Sequence, residues 1–211
     1  MKSADSAGRQ QVFTTIYREN AWGDPESISG PGSSVARATQ FRAEFEQLLQ
    51  ELGIRSLLDA PCGDFNWLSG FDLALDSLIG IDIVPEIIAQ NRARHIEKHL
   101  RFEVLDIVSD ALPAADLILC RDGLVHFSFA DVVSALKNFK RSGSHWLLTN
   151  TFVAHHANAD ITTGRWQPLN LQDPPFGLPP PVHSLDEKCL GHGGVYRDKR
   201  LALWRLRDLD L

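Results

Sequence analysis

The sequence predicts an α/β fold built on a doubly wound, mostly parallel sheet that ends in an antiparallel C-terminal strand. Three observations predict it. Short apolar segments at 55–59, 77–82, 101–106, 115–120 and 146–151 recur between stretches of helical periodicity. They are mostly apolar throughout rather than alternating, as strands covered on both faces must be. The last segment, KRLALWRL at 199–206, does alternate, as a final strand with one wet face does. Right-handed crossovers then make the arrangement doubly wound.

Each element has its own signal. Val12, Phe13, Ile16 and Tyr17 share one face of a helix over 9–20. The stretch 22–34 is a loop by its Gly, Pro and Ser content. A helix over 35–52 carries Phe41, Phe45, Leu48, Leu49 and Leu52 on one stripe, with Gly53 as its C-terminal cap. Pro85 suits the first turn of the helix after strand 77–82. Ser128 and Asp131 are spaced as a cap for a helix over 129–142, which Gly143 ends. Residues 152–198 break the rhythm, hold most of the prolines and predict a long loop with a strand near 182–188. A loop of that length in a compact domain is usually functional.

Composition narrows the function. Lys and Arg total 21 against 27 Asp and Glu, a net charge of −6, which argues against general nucleic-acid binding and for a small-molecule partner. No apolar run has the length of a membrane span, and the polar start MKSADSAGRQQ lacks the apolar middle of a signal peptide. Three scattered cysteines make no disulfide framework. A cytoplasmic protein is expected, with its oligomeric state left open.

The sharpest local signal is LLDAPCGDF at 57–65, a turn of small residues directly after the first core strand. In doubly wound sheets, ligands bind beyond the carboxyl ends of strands where the strand order reverses. Gly63 lets the backbone approach a ligand, although an incidental glycine in a strand-to-loop turn fits equally well. Two more acids tilt the balance. Asp82 ends the second strand nineteen residues after Gly63, where a carboxylate can accept the ribose hydroxyls of an adenosine cofactor. Asp106 ends the third predicted strand, within reach of an adenine amino group. The dinucleotide fingerprint G-x-G-x-x-G is absent, since A-P-C-G-D-F lacks its spacing.

The order of these motifs resembles the class I S-adenosylmethionine-dependent methyltransferases. Asp59 and Gly63 match the first glycine motif, Asp82 the ribose acid and Asp106 the adenine-side acid, and 116–121 matches the strand that ends at the active site. More narrowly, WGDPESISGPGSS, DAPCGDFNWL, IGIDIVPEII, CRDGLVHFS and GRWQPLNL together resemble a little-described bacterial branch of that superfamily. The resemblance implies a single domain over 1–211. Residues 1–53 would form N-terminal helices and a lid loop, 54–151 the cofactor-binding core, and 152–211 an acceptor-side loop with the C-terminal strands. It implies S-adenosylmethionine held by Asp59, Pro61, Cys62, Gly63, Asp64, Asp82, Ile83, Asp106, Ile107 and Arg121. Pro61 and Phe65 stand where the family has glycines. That departure motivates the alternative of a non-catalytic cofactor-binding or regulatory subunit.

The reacting end falls at Cys120-Arg121-Asp122-Gly123-Leu124-Val125-His126. His126 has the ordinary pKa of a base or is a structural histidine. Asp122 is placed to orient an acceptor amine or hydroxyl, and Arg121 to grip a carboxylate or phosphate, unless the two form a local ion pair. Trp22, Asn158, Asp160 and Trp166 are expected to shape the acceptor pocket, with 22–34 closing over the cofactor. His155, His156 and Asp160 lack a convincing metal-ligand pattern, so no metal is expected.

Overall fold

A computed structural model describes residues 5–189 and 192–211; the first four residues of the polar N-terminal stretch lie outside the described residues. Among the described residues, seven strands form one sheet: β1 (Ser56–Asp59), β2 (Ser77–Asp82), β3 (Leu100–Val104), β4 (Leu117–Cys120), β5 (Trp146–Phe152), β6 (His183–Asp186) and β7 (Lys199–Arg205). Their order is β3-β2-β1-β4-β5-β7-β6. The first five strands pair in parallel, and β7 runs antiparallel to both β5 and β6. The chain moves outward from β1 to β3 and then restarts at β4 on the other side of β1. The reversal therefore falls between β1 and β4, where a crevice opens at the strands' carboxyl ends.

Among the described residues, six α-helices surround the sheet: α1 (Ser6–Arg18), α2 (Val35–Ala38), α3 (Arg42–Glu51), α4 (Asn66–Ser69), α5 (Pro85–Arg94) and α6 (Phe129–Arg141). Alternate strand residues feed two separate apolar clusters. Leu58, Ile118 and Leu147 pack with Phe13 of α1 and Leu136 of α6, while Leu57, Leu117 and Leu148 pack with Phe45 and Leu48 of α3. This is the period-two geometry of a sheet covered on both faces.

Four expectations need correction. The first helix starts at Ser6, because Asp5 accepts the Gly8 N–H at 2.8 Å and caps it. The helix expected over 35–52 is interrupted at 39–41, where the Thr39 hydroxyl bonds back to the Val35 carbonyl and Ala38 and Phe41 both bury. Asp106 does not end a strand: β3 stops at Val104, and Asp106 starts a turn in which its carbonyl accepts from Ser109 and Asp110. The last strand has no wet face. Leu201, Ala202, Leu203 and Trp204 are all buried, because β6 flanks β7 and the long segment before β6 packs against it. Leu169, Leu171, Phe176 and Leu178 of that segment join the core cluster that holds Trp204, and the indole donates to the Pro179 carbonyl at 2.7 Å. The proline-rich segment is thus a packed layer whose leucines and Phe176 bury while Pro174, Pro175, Pro179 and Pro180 stay exposed. Burying each of these large apolar side chains is worth roughly 1.5–3 kcal/mol.

Candidate active site

A cleft of about 850 Å³ opens at the predicted crevice, lined by Pro61–Gly63 after β1, Asp82–Val84 after β2 and Arg121–Gly123 after β4. Phe13 and Tyr17 of α1, and Trp22, Ile28 and Ser29 of the loop 22–34, form its roof.

Asp82 is the polar centre of the cleft. Its carboxylate accepts the Gly63 N–H at 3.1 Å and the Val84 N–H at 2.9 Å. A carboxylate has about four acceptor positions, so capacity remains on the side facing the cleft. Burial pushes its pKa up to about 6, against the pull of those backbone donors. Ile83 and Ile107 line the same cleft as apolar walls. The turn is braced from α5, where the Asn91 amide donates to the Gly63 carbonyl at 2.8 Å. Gly63 is required twice over. Its φ is +52°, and a Cβ there would stand 2.2 Å from the Ser29 hydroxyl. Phe65 does not obstruct the cleft, because the chain turns left-handed at φ +57° and buries its ring against His95 and Phe102.

The other expected acids divide. Asp106 lines the cleft but is largely spent. Its Oδ2 accepts Arg9 at 2.7 and 3.0 Å and Ser109 at 2.9 Å, and its Oδ1 accepts the Val108 N–H. Arg9 also pairs with Asp131, so this buried cluster pins α1 over the cleft. Asp59 is sealed beneath the turn, 1% exposed with Oδ2 lacking a partner among the described residues, and burial raises its pKa well above the carboxylate range. Asp64 does not face the cleft. It accepts from the Ser27 hydroxyl, the Ile28 N–H and the Ser29 hydroxyl. The loop 22–34 is therefore seated on the glycine turn instead of hanging free, and Cys62 is the small buried residue beside it.

A second cleft, of about 1190 Å³, adjoins the first. Trp22, Ser29, Asp122 and His126 line both. His126 Nδ1 lies 3.0 Å from the Arg165 carbonyl. A carbonyl only accepts, so Nδ1 carries the proton and Nε2 keeps its lone pair. The ring stacks on Trp22 at 4.7 Å, and burial lowers its pKa.

Arg121 and Asp122 form the local ion pair, 3.8 Å apart, within a larger network. Arg121 donates to Glu187 at 3.0 Å and to the Gly32 carbonyl at 2.9 Å, and it lies between the Phe41 and Trp67 rings. It locks the lid loop and is not free to grip a ligand with its terminal nitrogens. Lys199 reaches Asp122 at 2.5 Å and Glu187 at 3.1 Å. Burial works to raise the Asp122 pKa, but Lys199 and Arg121 outweigh it and pull it down to about 2. Asn150 joins through Glu187 and the Asp122 N–H, each at 2.5 Å. Arg9, Asn150, Glu187 and Lys199 escaped the sequence reading because they lie on distant segments and carry no motif.

Trp166 lines the second cleft, edge-on to Tyr196 at 4.9 Å and to Phe152 at 6.1 Å. Asn158 and Asp160 line neither cleft. The Asn158 amide braces its own loop through Asn170 and Pro174, and Asp160 caps α6 by accepting the Phe129 N–H. His156 rests against Asp173, and no cluster of metal-ligating side chains occurs among the described residues. No helix among them is long and apolar enough to cross a membrane.

No family model and no curated protein matches the chain. Its fold is matched among solved structures. The N-methyltransferase NodS from Bradyrhizobium japonicum superposes with a TM-score of 0.53 at 18% identity, over 79% of this chain and 96% of that one. The magnesium protoporphyrin IX methyltransferase ChlM from Synechocystis, with SAM bound, gives 0.53 at 13% identity, over 76% and 80%. The same enzyme with SAH bound gives 0.52 at 12% identity, over 70% and 72%. Together with the strand order and the crevice between β1 and β4, these likenesses assign the chain the fold of the class I S-adenosylmethionine-dependent methyltransferases.

Proposed function

We propose that the protein binds S-adenosylmethionine in the first cleft and methylates a small or medium-sized acceptor held in the second. The observation that carries this reading is Asp82, buried at the end of β2 beside the β1–β4 reversal with acceptor capacity still facing the cleft. The surroundings fit an adenosyl cofactor: a carboxylate for ribose hydroxyls, the Ile83 and Ile107 walls for a base, and a glycine turn that stays open because Phe65 points away. When bound, the sulfonium supplies an electrophilic methyl group, its C–S bonding pair staying on sulfur as a neutral thioether.

The chain's own contribution is mainly positional. The seated loop 22–34 and α1 exclude water from the first cleft. Trp22 and His126 stand where the two clefts meet, so an acceptor in the second is held toward the first. His126 Nε2 takes the proton that a hydroxyl or ammonium acceptor must lose, while Nδ1–H stays on the Arg165 carbonyl and holds the ring. Asp122, kept anionic by Lys199 and Arg121, stabilises the imidazolium that results. This arrangement favours an enzyme over a non-catalytic binding subunit.

Calorimetry with S-adenosylmethionine and S-adenosylhomocysteine tests the reading. Both are expected to bind the parent, and Asp82→Ala is expected to bind more weakly while keeping its fold. Equal affinity in parent and variant overturns the ribose assignment, and binding of neither ligand overturns the function.

A further inference from the structure

The second cleft also limits what the acceptor is. Two aromatic groups line it, Trp22 against His126 and Trp166 against Tyr196 and Phe152. Such walls bury a flat ring at little conformational cost. Three charged side chains also line it: Asp122, Lys199 and Arg37. Asp122 and Lys199 neutralise each other at 2.5 Å. The Arg37 side chain, half-buried on α2, makes no hydrogen bond or ion pair with any described residue, while its backbone carbonyl accepts the Gln40 N–H. A small cavity of about 420 Å³ next to it is lined by Arg37, Arg121, Lys188 and Lys199 against the single carboxylate of Glu187. Arg121, Lys188 and Lys199 are held by Glu187, Asp122 and Glu44, which leaves the Arg37 guanidinium as the cation at this end of the cleft without a carboxylate among the described residues.

Resting on the methyl-transfer reading, we infer that the acceptor is a flat aromatic acid whose carboxylate pairs with Arg37 while its hydroxyl or amine faces His126. Arg37 suits this task because its guanidinium is a rigid double donor that stays charged. An unpaired guanidinium discriminates strongly against a neutral isostere, since binding one desolvates the charge without replacing its water partners. The aromatic walls supply affinity without preference for charge, so charge selectivity is the signature to seek. Arg37 does not line the first cleft, so cofactor binding provides an independent reading of fold and first site.

The test uses 6-hydroxy-2-naphthoate and its carboxamide as probes, titrated by calorimetry into the full chain saturated with S-adenosylhomocysteine. The parent is expected to bind the carboxylate at least tenfold more tightly than the amide. Arg37→Gln is expected to reduce that ratio to near one while leaving S-adenosylhomocysteine affinity unchanged. Equal binding of the two probes to the parent, binding of neither, or a ratio that survives Arg37→Gln overturns the proposal. Absence of S-adenosylhomocysteine binding in the parent is a different failure, that of the methyl-transfer reading itself and of this inference with it.

Discussion

The two clefts share a wall but are built in opposite ways. The first draws its polar groups from strand ends, and its key acid keeps acceptor capacity in hand. The second is assembled from the lid loop, the tip of β4, β5, β7 and the segment before β6, and its central charges are already spent on one another. A site meant for a common cofactor can be encoded locally, because backbone turns at a sheet edge position it. On the proposed reading, a site for a particular acceptor needs remote segments, and the buried charges that join them must be mutually satisfied.

The largest expected effect breaks that second assembly. Glu187→Ala leaves Arg121 and Lys199 buried with one counter-charge fewer, and a loss of about 3–5 kcal/mol is expected in chemical denaturation. A loss below 1 kcal/mol would show that the network is not a structural joint.

Next, the two cleft acids should separate. Asp82→Ala is expected to weaken S-adenosylhomocysteine binding by about 1.5–3 kcal/mol, the scale of a lost charge-assisted hydrogen bond, with little loss of stability. Asp106→Asn should chiefly cost stability, because Arg9 consumes that carboxylate and the variant unpins α1, with any loss of affinity following from the loosened roof. Calorimetry and melting of both variants decide it, and matching behaviour would erase the distinction.

The pH dependence sharpens the same point. Asp82 ionises at about 6 in the fold against 3.8 ordinarily, so the free protein takes up this proton more readily folded than unfolded. The stability owed to this group is highest at acidic pH and falls as pH rises through roughly 4 to 6. Ribose hydroxyls donate to the anion, so binding runs the other way. S-adenosylhomocysteine affinity is expected to be about tenfold weaker at pH 5 than at pH 7, and Asp82→Asn should flatten that profile.

The smallest effect concerns Asp160, expected at the acceptor pocket but lining neither cleft. Asp160→Ala is expected to cost about 0.5–1 kcal/mol through the lost bond to the Phe129 N–H, with aromatic-acid binding unchanged. A change in acceptor binding without a change in stability would restore Asp160 to the pocket.

The sequence by itself determined the parallel core, β2 over 77–82, the Gly63 turn and Asp82 as the acid that ends β2 in the cleft. These are local facts: buried strands must be apolar, and a cleft at their ends needs a bare turn and an acid a fixed distance on. It also placed Arg121, Asp122 and His126 in the cleft beyond β4, since they follow directly from that strand. Only the tertiary structure decided how those groups are spent. Asp64 faces the lid, Asp106 faces Arg9, and Arg121 faces Glu187, each because a buried charge takes the nearest partner and that partner lies dozens of residues away. The same holds for β7, whose alternation promised a wet face until β6 and the proline-rich segment packed against it. Periodicity records what a residue prefers, and partnership is set by the segments that the fold brings beside it.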